Sequence, residues 1–205
     1  FEIRKGFLNK IVGYNKSVND VEFTIKKGET VGLVGESGSG KTTLGRCIVR
    51  LYDSTAGSIK FNVNGKMTEL TNLSTKEMKK IRKNFQMLFQ DVYSSLDTRM
   101  KISKIVTEPL DIHNIGTRKD RIDRAKELML KVGLSDADLE KYPHQFSGGQ
   151  RQRIGITRAL SINPEFIICD EPVSALDVSV QAQILNLLVD CLLYTSPSPR
   201  DSDQS

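Results

Sequence analysis

The sequence predicts an α/β fold with an inserted all-helical subdomain and a small antiparallel β segment. An apolar run at 30–34 leads through a glycine-rich loop into a stretch of helical composition at 42–51, which together make a strand–loop–helix unit. From 102 to 142 the pattern is mainly helical. A second apolar run at 166–169 then follows a predicted helix at 150–160, so the chain returns to the α/β core.

The composition is typical of a globular protein with one sizeable core. The 205 residues are 38% hydrophobic and 27% charged. No stretch reaches the roughly 18 to 20 apolar residues that a membrane helix needs, and the first residues lack the pattern of a signal peptide. We therefore expect a cytoplasmic chain in which Cys47, Cys169 and Cys191 are reduced thiols, neither disulfide partners nor metal ligands.

The formal net charge of +5 allows a nucleic acid or an anionic membrane surface as partner. The Lys and Arg residues are, however, interspersed with acidic residues in the helical stretches at 75–83 and 118–131. This mixing favours solvated helix faces. Nucleic acid binding stays as a minority alternative.

Turn and capping signals delimit the individual elements. Residues 21–25 alternate as a half-buried strand would, and residues 59–63 do so before Asn64-Gly65, a hairpin turn signal. Capping boxes begin helices at Ser74 and Thr117, and a strand at 85–89 ends at Gln90. One face of the helix that follows Thr117 is apolar, with Ile122, Ala125, Leu128, Met129 and Val132.

These signals divide the chain into four segments. Residues 1–90 form the α/β core with its antiparallel β segment, and residues 91–149 form the helical subdomain. Residues 150–190 return to the core. Residues 191–205 are expected to be a non-native tail.

The loop at 35–42, Gly-Glu-Ser-Gly-Ser-Gly-Lys-Thr, fits the pattern in which successive backbone N–H groups surround phosphate oxygens. The lysine would reach the terminal phosphates and the threonine would offer its hydroxyl to Mg²⁺. A flexible turn is the alternative, and the register of both residues disfavours it. The predicted cofactor-binding residues here are Gly35, Glu36, Ser37, Gly38, Ser39, Gly40, Lys41, Thr42 and Thr43.

Two carboxylates, Asp170 and Glu171, follow the apolar run at 166–169. The carboxyl end of a buried parallel strand is where open sheets bind ligands. Asp170 is predicted to hold Mg²⁺ opposite Thr42, and Glu171 is predicted to polarise the water that attacks the γ-phosphate.

With Phe146-Ser147-Gly148-Gly149-Gln150 between these two motifs, the chain resembles the nucleotide-binding subunit of an ATP-binding cassette (ABC) transporter. The resemblance implies a P-loop NTPase (RecA-like) core that binds ATP and Mg²⁺, with Lys41, Gln90 and Glu171 as catalytic residues. Gln90 would sense the γ-phosphate and join Thr42 and Asp170 at the metal. The pentapeptide 146–150, here called the signature, would face the ATP of a partner subunit.

The same resemblance implies further contacts and partners. The loop 174–177 would cross the dimer interface through Asp177, and Phe1, or less well Tyr14, would stack on adenine. A second ATPase subunit and two transmembrane permease subunits are implied as partners, at the cytoplasmic face of the membrane.

A narrower resemblance connects the chain with the oligopeptide and dipeptide importer ATPases. It rests on Phe89-Gln90-Asp91, on Tyr142 to Phe146 and on the run 170–182. It implies peptide import, with a peptide-binding protein as an indirect partner, and Val173-Ser174 suggests the second of the two ATPase subunit types. Val92, Asp97 and Thr98 depart from the expected Pro, Asn and Pro.

The family has a histidine shortly after the loop that contains Asp177, whereas His113 and His144 both precede the signature. Residues from Cys191 to Asp201 match, codon by codon, a translated transposon-type sequencing adapter. We therefore expect residues 191–205 to be non-native and the core to be C-terminally incomplete and poorly soluble alone. A genuine Ser/Pro-rich tail is the alternative.

Two other function classes remain open from the sequence. A DNA-repair or chromosome-maintenance ATPase head shares the phosphate loop and the signature, but it would carry long coiled coils between them. A non-hydrolysing regulatory nucleotide-binding module would fit if the natural protein also lacks this histidine.

Overall fold

The structure is a computed structural model that describes residues 2–5, 10–14, 16–89, 95–170, 181–182, 185–186 and 188–189. In chain order its strands and helices are β1 (Glu2–Lys5), β2 (Lys10–Tyr14), α1 (Lys41–Ile48), β3 (Lys60–Val63), β4 (Lys66–Glu69), α2 (Thr75–Ile81), β5 (Phe85–Leu88), α3 (Ile102–Ile112), α4 (Arg118–Lys131), α5 (Gly148–Leu160) and β6 (Phe166–Cys169). Short 3₁₀ turns lie at Arg82–Asn84, Asp136–Glu140 and Pro143–Gln145.

The described strands form three pairs. β1 and β2 are antiparallel, and so are β3 and β4, whose turn at Asn64 and Gly65 has φ values of 50° and 82°. Positive φ at both central residues is what a tight two-residue hairpin requires, so the predicted hairpin is confirmed. β5 and β6 are parallel, and Phe85 lies opposite Phe166. This parallel pair is the core sheet that leads to the site.

The predicted strands at 21–25 and 30–34 are wrong for this structure. Neither segment forms a strand, and Val21, Leu33 and Val34 are exposed. An apolar run signals a buried environment, but a strand exists only when a neighbouring strand accepts its hydrogen bonds. No described strand pairs with these residues.

The described residues form three hydrophobic clusters. The first packs α1, the hairpin, α2 and β5 together through Val49, Leu70, Met78 and Phe85. The second lies among the helices of the inserted subdomain: Leu96, Ile102, Ile105, Val106, Ala125, Met129, Val132, Leu134, Leu139, Phe146 and Ile154.

Helix α5 joins the helical core to a third cluster, which lies against β5. Its Ile154 belongs to the helical core, whereas Ile156 and Leu160 pack with Leu88 of β5 and Leu128 of α4. Because residues two apart on a helix point about 200° from each other, opposite faces of α5 can pack into two different clusters. None of the helices that the structure describes is long and apolar enough to cross a membrane.

Candidate nucleotide-binding site

The phosphate loop, residues 35–42, turns tightly just before α1. Gly38 and Gly40 have φ values of 79° and 94°, in the left-handed region that favours glycine. A Cβ atom at Gly40 would also lie 2.1 Å from the carbonyl oxygen of Ser17. Glycine at position 40 is therefore required by both the backbone conformation and the close approach of residue 17.

Lys41 begins helix α1 and folds its side chain back over the loop. Its Nζ donates to the carbonyl oxygens of Gly35 and Glu36, each at 2.7 Å, and lies 3.5 Å from the Ser39 hydroxyl. No side chain caps this helix and no acidic residue lies in its first turn. A positive charge and uncapped N–H groups meet here, which suits an anion such as phosphate.

Thr42 and Asp170 meet although they lie 128 residues apart in the chain. The Thr42 hydroxyl donates to Asp170 Oδ1 at 2.8 Å. The Asp170 N–H donates to the Leu88 carbonyl at 2.9 Å, which continues the β5–β6 ladder by one step. Hydroxyl and carboxylate oxygens are the ligands that Mg²⁺ prefers, so this pair fits the predicted metal site.

Gly45 explains why α1 lies close enough to the sheet for this contact. It is buried, and a Cβ atom there would lie 3.1 Å from Ile168 Cγ2 and 3.8 Å from Met87 Cε. Thr42 precedes Gly45 by nearly one turn, on the same face. Gly45 was not predicted as part of the site, although a glycine inside a helix is a signal of close packing.

Two arginines, also missed, fix the end of α1. Arg82 donates to the carbonyl oxygens of Val49 and Arg50 at 3.0 and 3.2 Å. Arg50 in turn donates to the Leu70, Thr71 and Leu73 carbonyls of the segment after the hairpin. Burial, and then the neighbouring Arg50, lower the pKa of Arg82. Helix α1 is thus tied both to the segment after the hairpin and to the turn that leads into β5.

The signature forms the beginning of helix α5. Phe146 is buried in the helical core, while Ser147, Gly148 and Gln150 are exposed. The Gln150 N–H donates to Ser147 Oγ at 3.3 Å, and the Ser147 N–H donates to Gln150 Oε1 at 2.9 Å. These two hydrogen bonds form a reciprocal capping box, through which Gln150 stabilises the first turn of α5. Ser147, Gly148 and Gly149 lie at this helix start.

Several predicted site residues lie outside the part that the structure describes. They are Phe1, Gln90, Glu171 and Asp177, and the same holds for the tail at 191–205. Their predicted roles stay predictions.

The loop, its lysine and the Thr42–Asp170 pair at the end of a parallel strand define a P-loop nucleotide-binding protein. The ABC transporter family model matches residues 18–174. The chain belongs to the ABC transporter family.

Two relatives of the chain are named as oligopeptide transport ATP-binding proteins. The chain is 52% identical over 189 residues to the oligopeptide transport ATP-binding protein AppF of Bacillus subtilis (strain 168), covering 92% of this chain and 56% of the relative. It is 53% identical over 180 residues to OppF of the same strain, an oligopeptide transport ATP-binding protein, covering 86% and 57%. The chain thus spans a little over half the length of these relatives.

Solved structures agree with the fold. The ATP-binding cassette MJ0796, in a dimeric post-hydrolysis state with ADP and Pi, is 32% identical with a TM-score of 0.74. The match covers 84% of this chain and 73% of that one. A second dimeric structure of MJ0796, described as a bacterial ABC transporter cassette, gives a TM-score of 0.75. The predicted α/β P-loop fold and the predicted family are confirmed.

Proposed function

We propose that the chain is the ATP-binding and hydrolysing part of an ABC importer of oligopeptides or dipeptides. The observation that carries this proposal is the 2.8 Å contact between Thr42 and Asp170 beside the phosphate loop. It occurs in a chain about half identical to proteins named for oligopeptide transport.

The described residues suit ATP and Mg²⁺. The uncapped start of α1 presents N–H groups to phosphate oxygens, and Lys41 exchanges its hydrogen bonds with the Gly35 and Glu36 carbonyls for hydrogen bonds to phosphate. Thr42 and Asp170 would hold Mg²⁺ together with Gln90. The metal, when bound, neutralises charge on the phosphates.

Hydrolysis then needs a base and an oriented water. We assign the base to Glu171, which follows Asp170 directly, and the contact with the γ-phosphate to Gln90. A carboxylate placed beside the attacking water removes its proton as the oxygen–phosphorus bond forms.

The exposed start of α5 supports a composite site between two subunits. Helix N-termini attract anions, and the exposed Ser147 and Gly148 with the partly exposed Gly149 stand at one. We propose that they serve the nucleotide held by a partner ATPase subunit, with Asp177 at the interface and Phe1 against adenine. Two transmembrane permease subunits and, indirectly, a peptide-binding protein complete the importer, and this chain lies at the cytoplasmic face of the membrane.

The two described helices between Gln90 and the signature, α3 and α4, are 11 and 14 residues long. Lengths of this kind suit a compact transporter subdomain. A DNA-repair head would need long coiled coils there, so we retain the importer.

Two substitutions test the proposal in the protein encoded by the complete reading frame. Glu171→Gln should lower ATP turnover about a hundredfold or more while nucleotide still binds, because only the base is lost. Lys41→Ala should remove nucleotide binding itself. Turnover is measured by phosphate release and binding by calorimetry.

The two variants serve as controls for each other. Glu171→Gln should lose the chemical step and keep ATP binding, whereas Lys41→Ala should lose ATP binding itself. Turnover by Glu171→Gln within a few-fold of wild type would sink the assignment of the base. Unchanged ATP affinity in Lys41→Ala would remove that lysine from the site.

A further inference from the structure

We propose that Arg158 is a positioning residue that couples the two nucleotide sites of the dimer by joining the signature helix α5 to the chain that follows Gln90. The inference rests on the proposed function, because it assumes that Gln90 serves this subunit's own ATP and the signature serves the partner's.

The first observation is a directional contact from α5. Arg158 Nη1 donates to the Ser95 carbonyl oxygen at 2.8 Å, and the Arg158 side chain is partly buried. Ser95 lies five positions after Gln90 in the sequence. The contact therefore fixes the backbone at Ser95, which is close in the chain to Gln90, the residue predicted to contact the γ-phosphate.

The second observation is that α5 also packs on the other side of Gln90. Leu88, which lies two positions before Gln90, packs against Ile156 and Leu160 of α5. Leu96, just after Ser95, lies in one core with Ile154 of α5. One helix thus contacts the chain immediately before and immediately after residues 90–94.

The kind of contact distinguishes Arg158 from its apolar neighbours. Packing of Leu and Ile is non-directional and tolerates sliding, whereas a guanidinium hydrogen bond fixes both a distance and an orientation. The partial burial of Arg158 limits competition from water. A shift of α5 would therefore be passed to Ser95 chiefly through Arg158.

The helix supplies the connection to the partner's site. Gly148, at the start of α5, and Arg158 are ten residues apart, which is about 15 Å along a helix axis. A ligand that moves or fixes the signature would thus bias the position of Ser95. Coupling of two sites through one element acts equally in both directions.

Arg153 provides a matched control on the same helix. Its Nη1 also donates to a backbone carbonyl, that of Val132 at 3.1 Å, and its side chain is also partly buried. Val132 lies at the end of α4 within the helical subdomain. Loss of this contact removes a comparable hydrogen bond without touching the chain next to Gln90.

The test compares Arg158→Met, Arg158→Lys and Arg153→Met in the assembled transporter expressed from the complete reading frame. ATP turnover is measured against ATP concentration, and the melting temperature of each variant is recorded. Arg158→Met is expected to lower kcat about tenfold and to reduce the Hill coefficient from about 2 towards 1, with KM changed less than about threefold. Arg158→Lys, which keeps a charged donor, should give an intermediate Hill coefficient.

Arg153→Met should keep kcat and the Hill coefficient within about twofold of wild type. Equal losses of cooperativity in Arg153→Met and Arg158→Met would show a merely structural role and overturn the proposal. An unchanged Hill coefficient in Arg158→Met would overturn it as well. If Arg158→Met does not fold, Arg158→Lys decides by the same criterion.

The behaviour of the wild type separates this inference from the function beneath it. Hydrolysis with a Hill coefficient of about 1 would overturn the coupling and leave the proposed function standing. No ATP hydrolysis by the assembled wild type would overturn both.

Discussion

The position of Thr42 makes its observed contact with Asp170 compatible with the ligation of Mg²⁺ that we propose for it. It stands in the first turn of α1, where its backbone belongs to the phosphate loop, and its hydroxyl donates to Asp170 at 2.8 Å. A hydroxyl that donates to a carboxylate leaves its own lone pairs available to a cation. The same oxygen can therefore hold the sheet edge and ligate Mg²⁺.

Replacing Thr42 should separate these contributions. Thr42→Ala removes a hydroxyl that we propose as a ligand of Mg²⁺, so Mg²⁺-dependent nucleotide affinity should fall about tenfold or more. Calorimetry with ATP, in the presence and absence of Mg²⁺, measures this. Thr42→Ser keeps the hydroxyl and should bind nearly as wild type.

The contrary result would be an alanine variant whose affinity depends on Mg²⁺ as strongly as that of the wild type. Thr42 would then lie outside the metal shell, and its contact with Asp170 would be structural only.

Residues in fixed motifs were predictable, and residues whose partners are backbone carbonyls were not. Lys41 and Thr42 follow from the spacing of one loop, and Asp170 follows from the strand before it. Arg82 and Arg158 each donate to carbonyls remote in sequence. Every residue offers a carbonyl, so no residue type at the acceptor position marks such a contact in the sequence.

At the level of the elements, the contact of α1 with the core sheet depends on the size of residue 45. An alanine at Gly45 would gain up to about 1 kcal/mol in helix propensity, but its Cβ would lie 3.1 Å from Ile168 Cγ2. A larger side chain would have to push the helix away from the sheet. The distance between Thr42 and Asp170 would then increase.

A series at this position should show the effect. Gly45→Val should lower the free energy of unfolding by about 1–3 kcal/mol, as overpacked cores do, while Gly45→Ala should change it less. Urea denaturation of the protein from the complete reading frame measures both. In an Ile168→Ala background the valine should cost less, because the contacting methyl is gone.

If Gly45→Val costs the same in both backgrounds, the contact with Ile168 does not govern the approach of α1. A valine variant as stable as wild type would contradict the packing argument altogether.

Elements determined by local chemistry were predicted well. The capping boxes at Ser74 and Thr117 begin α2 and α4 as expected, because each box satisfies its own helix start. The apolar face of α4 is also confirmed, with Ala125, Leu128 and Met129 buried. The segments at 21–25 and 30–34 depended on strands elsewhere, so their local pattern was not sufficient.

At the level of the whole molecule, the described chain exposes an apolar stretch before the phosphate loop. Val34 is 95% exposed, and Val21, Phe23, Val31 and Leu33 are between 48% and 55% exposed. Exposed apolar residues concentrated in one segment attract hydrophobic ligands and other copies of the chain.

The 205-residue chain should therefore bind the dye ANS and self-associate in solution. Dye fluorescence and light scattering measure the two effects. A variant in which Val31, Leu33 and Val34 are all replaced by threonine is the control, and its dye fluorescence should be lower. A sharp cooperative melt with monodisperse scattering of the unmodified chain would contradict the expectation.

The paired arginines at the end of α1 have a consequence for how the molecule opens. Arg50 occupies a left-handed conformation, φ 54°, where glycine is usual, and its contacts with the Leu70, Thr71 and Leu73 carbonyls offset that strain. Local unfolding of the segment 70–73 after the hairpin would break these contacts and release the end of α1. Amide protons of segment 70–73 and of α1 should therefore exchange with solvent as one cooperative unit.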